Sequence, residues 1–324
     1  MIRLVGLSIL FMTQTGFSEE VVPSEILPER ISRFVVRTRS DSNRELPFFI
    51  RTPLGFKAED KKPRRLLFLC PYLDETGISL LNRSAVYLRL ADERGWFVMT
   101  CTFKQEHADA KDRVNSYYYP ESFSGKAVLD ALDYVSKKVP IDTERLFMHG
   151  LSGGAQFVHR FAMWAPERVS AVSINSCGWF DVPGASCGQV AWMIIIGEAD
   201  PALMASFDFS QKLTEVGAAP LYRSYIGMAH EGGWKSVELL TVEWLKFQDS
   251  RSAGFLGQKK SKLDDPARRL AMKAEDMPFV GDAQQWTFRE NTPENVADLP
   301  EDARVFLQSR EIGDLWGTYD GGEK

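Results

Sequence analysis

The sequence predicts an α/β protein: a mostly parallel sheet with helices on both faces, followed by a C-terminal extension. Three observations predict it. Apolar runs such as LLFLC (66–70), FVMTC (97–101) and AWMIII (191–196) carry no charge, as strands covered on both faces require. Segments with apolar residues at helical spacing lie between such runs, so strand and helix alternate, the pattern of parallel strands joined by crossover helices. The 324 residues are 44% hydrophobic and include eight tryptophans, enough to bury one large core and carry an appendage.

In chain order, MIRLVGLSILFMTQTGFSEE starts basic at Arg3, is apolar from Leu4 to Met12 and reaches small residues at Gly16 and Ser18. This predicts a secretory signal, residues 1–18, because the apolar run is too short to span a bilayer. The product is then expected to be exported, periplasmic or secreted. RISRFVVRTR and ELPFFIRTPL, separated by the turn-formers SDSN, read as an antiparallel hairpin. RRLLFLCPYL is a strand, SAVYLRLADERG a helix ending at Gly95, and WFVMTCTF a strand. FSGKAVLDALDYVSKKV is the next helix and RLFMHGLS the next strand. GGAQFVHRFAMWAPERV is a helix that stops at Ala165-Pro166, where proline cannot continue it. SAVSINSC and QVAWMIIIGEAD are strands, SFDFSQKLTEVG a helix closed by Gly217, PLYRSYIGMAH a strand and SVELLTVEWLKFQ a helix. The main domain is thus read as residues 19–251. From Ser252 the chain turns polar and linker-like, but MPFVGDAQQWTFRE and ARVFLQSREIGDLWG are aromatic enough to pack back, so 252–324 is read as an extension partly packed on the main domain.

A net charge of -5 and a pI near 5.6 give no positive field for nucleic acid or anionic lipid, and KKPRR and KKSK are short, interrupted runs. After the signal no segment is long enough for stable membrane insertion. The four histidines, His107, His149, His159 and His230, are scattered and no Cys/His spacing resembles a zinc site, so no metal and no cofactor are expected. In an exported chain Cys177 and Cys187, flanking the turn-rich GWFDVPGAS, are candidates for a disulfide, whereas Cys70 and Cys101 at strand ends read as buried thiols.

Gly150-Leu151-Ser152-Gly153-Gly154 matches G-x-S-x-G between a strand and a helix. A sharp turn there holds the serine in a strained conformation, so its neighbours must be small, and its hydroxyl is presented at the carboxyl edge of the sheet. The Gly153 N–H, at a helix start, is placed to stabilise an oxyanion. A serine needs a base, and the chain supplies one at a comparable strand end. Asp200 ends WMIIIGEAD and His230 ends YRSYIGMAH, giving the order Ser, Asp, His. Asp200 also reads as a helix N-cap before Pro201, in which case Glu198 is the substitute acid. His149 and His159 read as structural.

These residues resemble the α/β-hydrolase superfamily. More narrowly, HGLSGGAQFVHRFAMWAPERVSAV, IIIGEAD and GMAHEG resemble the secreted esterase branch that includes polyhydroxybutyrate-depolymerase-like and feruloyl-esterase-like proteins, over about Arg30 to Asp249. The resemblance implies an eight-stranded, mostly parallel sheet and a cofactor-free serine esterase acting on a small-molecule or polymeric ester; it leaves protein partners unknown. It also implies a second oxyanion donor in the loop after LLFLC, where family members often carry His-Gly. Here the loop reads Cys70-Pro71-Tyr72-Leu73, and since proline has no N–H the donor must be Leu73 or Tyr72. Tyr118, Trp179 and Trp234, in loops expected near the serine, are the candidate substrate contacts, with plain loop packing as the alternative. Two other functions fit the fold: a prolyl-oligopeptidase-type serine peptidase, whose usual propeller has no repeat region to form it here, and a catalytically silent binding or scaffold protein.

Overall fold

The computed structural model describes residues 30–37, 45–104, 116–257 and 272–318. The proposed signal, residues 1–18, lies outside them. An eight-stranded sheet carries the fold, in the order β1-β2-β4-β3-β5-β6-β7-β8. Its strands are β1 (Ile31–Arg37), β2 (Glu45–Arg51), β3 (Leu66–Cys70), β4 (Phe97–Cys101), β5 (Leu146–Leu151), β6 (Val169–Asn175), β7 (Ala191–Gly197) and β8 (Leu221–Tyr225). The β1–β2 hairpin and the β2–β4 pair are antiparallel, and every pairing from β4 to β8 is parallel. The uncharged runs became strands because helices cover both faces: β3, β4, β6 and β7 are buried at every position.

The helices are α1 (Gly77–Arg83), α2 (Ala85–Arg94), α3 (Gly125–Ser136), α4 (Gly153–Trp164), α5 (Leu203–Glu215) and α6 (Lys235–Ser252). The α1 helix was not expected; Thr76 caps it by accepting from the Ser79 N–H, and Ser84 separates it from α2. Gly95 closes α2 in the left-handed conformation, φ 68°, as its place after the helix demanded. Asp92 on α2 receives both Arg30 and Arg51, which staples the hairpin to that helix, and these cations hold its carboxyl well below the usual range. Arg65, wholly buried ahead of β3, donates to Asp249 at 3.1 Å, to the Arg145 carbonyl at 3.0 Å and to Ser252, tying the end of α6 beneath the sheet.

Residues after 272 form a second, three-stranded sheet of β9 (Phe279–Asp282), β10 (Thr287–Glu290) and β11 (Arg304–Leu307), with α7 (Pro293–Ala297) and α8 (Arg310–Gly317). Trp316 on α8 is fully buried, packs against Trp286 with ring centres 5.1 Å apart, and donates Nε1 to the Tyr222 carbonyl of β8 at 2.7 Å. Among the described residues no helix is long and apolar enough to cross a membrane.

One expectation is corrected. Cys177 and Cys187 are not bonded; both are buried free thiols, as are Cys70 and Cys101. The Cys177 thiol donates to the Trp179 carbonyl at 3.2 Å, and burial pushes its pKa up to about 12, so it stays protonated and unreactive. The Cys187 backbone N–H is engaged within its own 3₁₀ turn by the Gly184 carbonyl.

Candidate active site

Ser152 stands between β5 and α4 with φ 53° and ψ -117°, a conformation L-residues rarely adopt. Two backbone bonds hold it there. Its N–H donates to the Asn175 carbonyl on β6 at 3.0 Å, and its carbonyl accepts the Gln156 N–H at 3.0 Å to open α4. The flanking glycines are required by contact. A Cβ on Gly150 would lie 2.4 Å from the Gly154 carbonyl carbon, and one on Gly154 would lie 2.4 Å from the Cys70 oxygen. The turn is therefore packed backbone to backbone against the end of β3.

The loops after β7 and β8 bring the other two residues to the serine. His230 Nε2 lies 2.9 Å from Ser152 Oγ, and His230 Nδ1 lies 2.8 Å from Asp200 Oδ2. Asp200 Oδ1 accepts the Ala202 N–H at 2.8 Å, so this carboxylate both closes its own turn and faces the imidazole. Its side chain is 1% exposed while that of His230 is 42% exposed, which leaves the acid dry and the base open to solvent. With Nδ1–H donating to Asp200, Nε2 is left as the acceptor for the serine hydroxyl. The two loops are fitted to one another: the Ala199 N–H donates to the Met228 carbonyl at 3.0 Å, and a Cβ on Gly197 would stand 2.0 Å from that same oxygen. Glu198 faces elsewhere, accepting from the Ser224 hydroxyl at 2.9 Å.

On the far side of Ser152, Gly153 begins α4 next to the loop after β3. A Cβ on Gly153 would be 3.2 Å from the Leu73 nitrogen, so the loop after β3 lies close against the start of α4. The Tyr72 N–H is already taken by Glu75 Oε2 at 3.3 Å, and Leu73 is the residue next to Gly153. Tyr117 and Tyr118 form the wall behind: that same Cβ would meet the Tyr117 hydroxyl at 2.5 Å and Tyr118 Cε1 at 3.0 Å. The Tyr117 ring is fully buried, stacked on Phe103 with centres 4.5 Å apart. Only glycine leaves room at position 153.

The three aromatic candidates separate. Tyr118 is half-buried at the Gly153 wall, and Trp179 is 53% exposed in the loop after β6. Trp234 is turned into the core. It is 4% exposed, N-caps α6, packs near Tyr225 and donates Nε1 to Glu231 at 3.0 Å, because the chain turns it inward at the helix start. His149 and His159 are buried away from the serine, His149 Nδ1 beside Ser173 at 3.2 Å and His159 Nδ1 donating to the Ala155 carbonyl at 3.0 Å. Burial pushes both pKa values down to about 3, so both are neutral.

Residues that the sequence reading missed sit beside the serine turn: Glu75 in the loop after β3 and Arg83 at the end of α1, joined by two hydrogen bonds, with Glu75 holding the Tyr72 N–H. The signal was present, since an acid three residues beyond a turn amide is the spacing at which side chains close turns. Among the described residues no group of three or more His, Cys, Asp or Glu is placed to hold a metal ion.

No protein-family model matches the chain, and no curated protein sequence does. Solved structures do. A ferulic acid esterase is similar over 62% of this chain and 91% of its own, at 18% identity and a TM-score of 0.51. The poly(3-hydroxybutyrate) depolymerase of Bordetella parapertussis is similar over 74% of this chain and 94% of its own, at 16% identity and a TM-score of 0.51. A putative dipeptidyl aminopeptidase IV of Bacteroides ovatus is similar over 67% of this chain but only 35% of its own, at 12% identity and a TM-score of 0.52. Strand order, turn geometry and these likenesses agree that the chain has the α/β-hydrolase fold.

Proposed function

We propose that the protein is a serine hydrolase that cleaves carboxylic esters through an acyl-enzyme. The observation that carries this reading is the continuous relay Ser152 Oγ, His230 Nε2, His230 Nδ1, Asp200 Oδ2, at 2.9 and 2.8 Å. Ser152 attacks the acyl carbonyl while its proton passes to His230 Nε2. The oxyanion of the tetrahedral intermediate is received by the Gly153 and Leu73 N–H groups, and Asp200 stabilises the imidazolium. His230 then protonates the leaving alcohol. A water, deprotonated by His230, releases the acid and restores Ser152.

Structural likeness alone favours neither esters nor peptides, because an esterase, a depolymerase and a peptidase share the fold. The extent of likeness supports esters: it spans 91% of the ferulic acid esterase and 94% of the depolymerase. Trp179 and Tyr118 are then the contacts for an apolar or aromatic acyl group. The apolar run from Leu4 to Met12 supports export of the enzyme.

The test is hydrolysis of aryl esters from acetate to octanoate and of a feruloyl ester by the parent and by Ser152→Ala. Turnover by the parent and a loss of several orders of magnitude in the alanine form is the expected result. Equal inertness of two folded proteins, with no labelling of Ser152 by a fluorophosphonate, refutes it and favours a silent scaffold.

A further inference from the structure

The loop from Pro71 to Glu75 is closed upon itself. The Glu75 N–H donates to the Tyr72 carbonyl at 3.2 Å, and the Glu75 carboxylate accepts the Tyr72 N–H in return. Between them Asp74 takes a left-handed φ of 64°, so the backbone reverses directly after Leu73. Arg83, the last residue of α1, then grips the carboxylate from the other side, Nε to Oε1 and Nη2 to Oε2 at 2.9 Å. Its guanidinium also stands 5.2 Å from the centre of the Tyr72 ring. The Glu75 side chain is 1% exposed and that of Arg83 40%. Cation, acid and loop amide are thus joined by hydrogen bonds into one unit.

That unit touches none of the reacting atoms, yet it decides which amide serves them. Pro71 offers no N–H, the Tyr72 N–H is spent on Glu75, and Leu73 is the residue whose nitrogen borders Gly153. We infer that Glu75, held by Arg83, is the positioning residue of the oxyanion loop, fixing the Leu73 N–H beside that of Gly153 before substrate arrives. This rests on the esterase reading above. Preorganised donors stabilise a developing charge because they need not be turned toward it during the reaction.

The test measures kcat, KM and inhibition by an aryl trifluoromethyl ketone, which forms a tetrahedral adduct with a serine, for the full chain and for Glu75→Ala, Glu75→Gln and Arg83→Gln. Losing one such donor costs on the order of 100- to 1,000-fold in kcat, and displacing it costs less, so Glu75→Ala is expected to lower kcat about 10- to 100-fold with KM nearly unchanged. The ketone is expected to bind more weakly by the same factor. Glu75→Gln, whose amide oxygen still accepts the Tyr72 N–H, recovers part of both losses. Should Glu75→Ala fail to fold, Arg83→Gln, changed at a partly exposed site, carries the same expectation. A folded variant with unchanged kcat and ketone affinity overturns the positioning role while leaving the esterase standing. A fall in kcat without a matching loss of ketone affinity overturns it too. A parent chain that neither hydrolyses an ester nor binds the ketone overturns the esterase reading itself, and the positioning role with it.

Discussion

Gly154→Ala measures how tightly the serine turn is wedged beneath β3. The added methyl would stand 2.4 Å from the Cys70 oxygen, 3.0 Å from the Cys70 carbonyl carbon and 2.9 Å from the Pro71 oxygen. A carbon and an oxygen rest comfortably at about 3.3 Å, so the overlap is about 0.9 Å. All three atoms are backbone, so no rotamer change relieves it. Either α4 or the loop after β3 must shift by most of an ångström, which in a packed core costs roughly 2–3 kcal/mol. For a chain of this size that lowers the melting temperature by about 3–4 °C. Either shift changes the spacing between Leu73 on the loop and Gly153 on α4, and a misplacement of about 1 Å lowers kcat on the order of 100-fold. Gly184→Ala is the matched control. Gly184 has φ -101° and nothing within 4 Å of its Cβ position, so alanine is expected to be neutral or slightly stabilising. Melting by calorimetry and aryl-ester kinetics on both variants decide the matter. A Gly154→Ala protein that melts and turns over as the parent does would refute the close approach of helix and strand.

Ser152→Gly removes the nucleophile and also the strain of φ 53°, ψ -117°, roughly 1–3 kcal/mol for a non-glycine residue; ester hydrolysis should vanish while the melting temperature rises by a few degrees. A lower melting temperature would contradict the strain account. His159 has a folded pKa near 3, below its ordinary 6.5, so the stability it contributes is present above pH 6.5 and is lost as pH falls toward 3. In His159→Phe, denaturant titrations between pH 6 and 4 should show a pH slope shallower by one proton, about 1.4 kcal/mol per pH unit; an unchanged slope rules this residue out. Trp316→Ala should cost roughly 3–5 kcal/mol in denaturant melts, and Trp316→Phe clearly less. Equal losses would mean that the indole N–H, not the buried ring, carries the contact.

Much of the fold was legible because the sheet is covered on both faces. Continuous apolar runs have no other way to be buried, so LLFLC, FVMTC and AWMIII read directly as strands. The serine turn was legible for a different reason: glycine is forced at 150 and 154 by backbone contacts and at 153 by the Tyr117 and Tyr118 side chains, which any added side chain would violate. The α1 helix escaped notice because GISLLNR is seven residues long and leans on its Thr76 cap rather than on a long periodic pattern. Trp234 was misread because composition places a residue in a loop without saying which way it turns; there the ring enters the core at the first turn of α6. That the Tyr72 amide is engaged was not legible, because it depends on a side chain three positions on, Glu75. The cysteine pairing failed because a short, turn-rich spacing constrains distance along the chain but not the direction in which each thiol points.

The last strand of a sheet has one flank without a partner, and a bare flank of that kind invites a strand from another molecule. On β8 the Tyr222 carbonyl on that flank is occupied by the Trp316 indole, and Arg223 reaches across to the Thr318 carbonyl at 3.2 Å while lying 3.8 Å from the centre of the Trp286 ring. An incoming strand would meet a tryptophan where it needs an acceptor. The residues after 272 therefore act as a stopper for the sheet, and removing them should turn a chain that closes itself off into one that seeks company of its own kind.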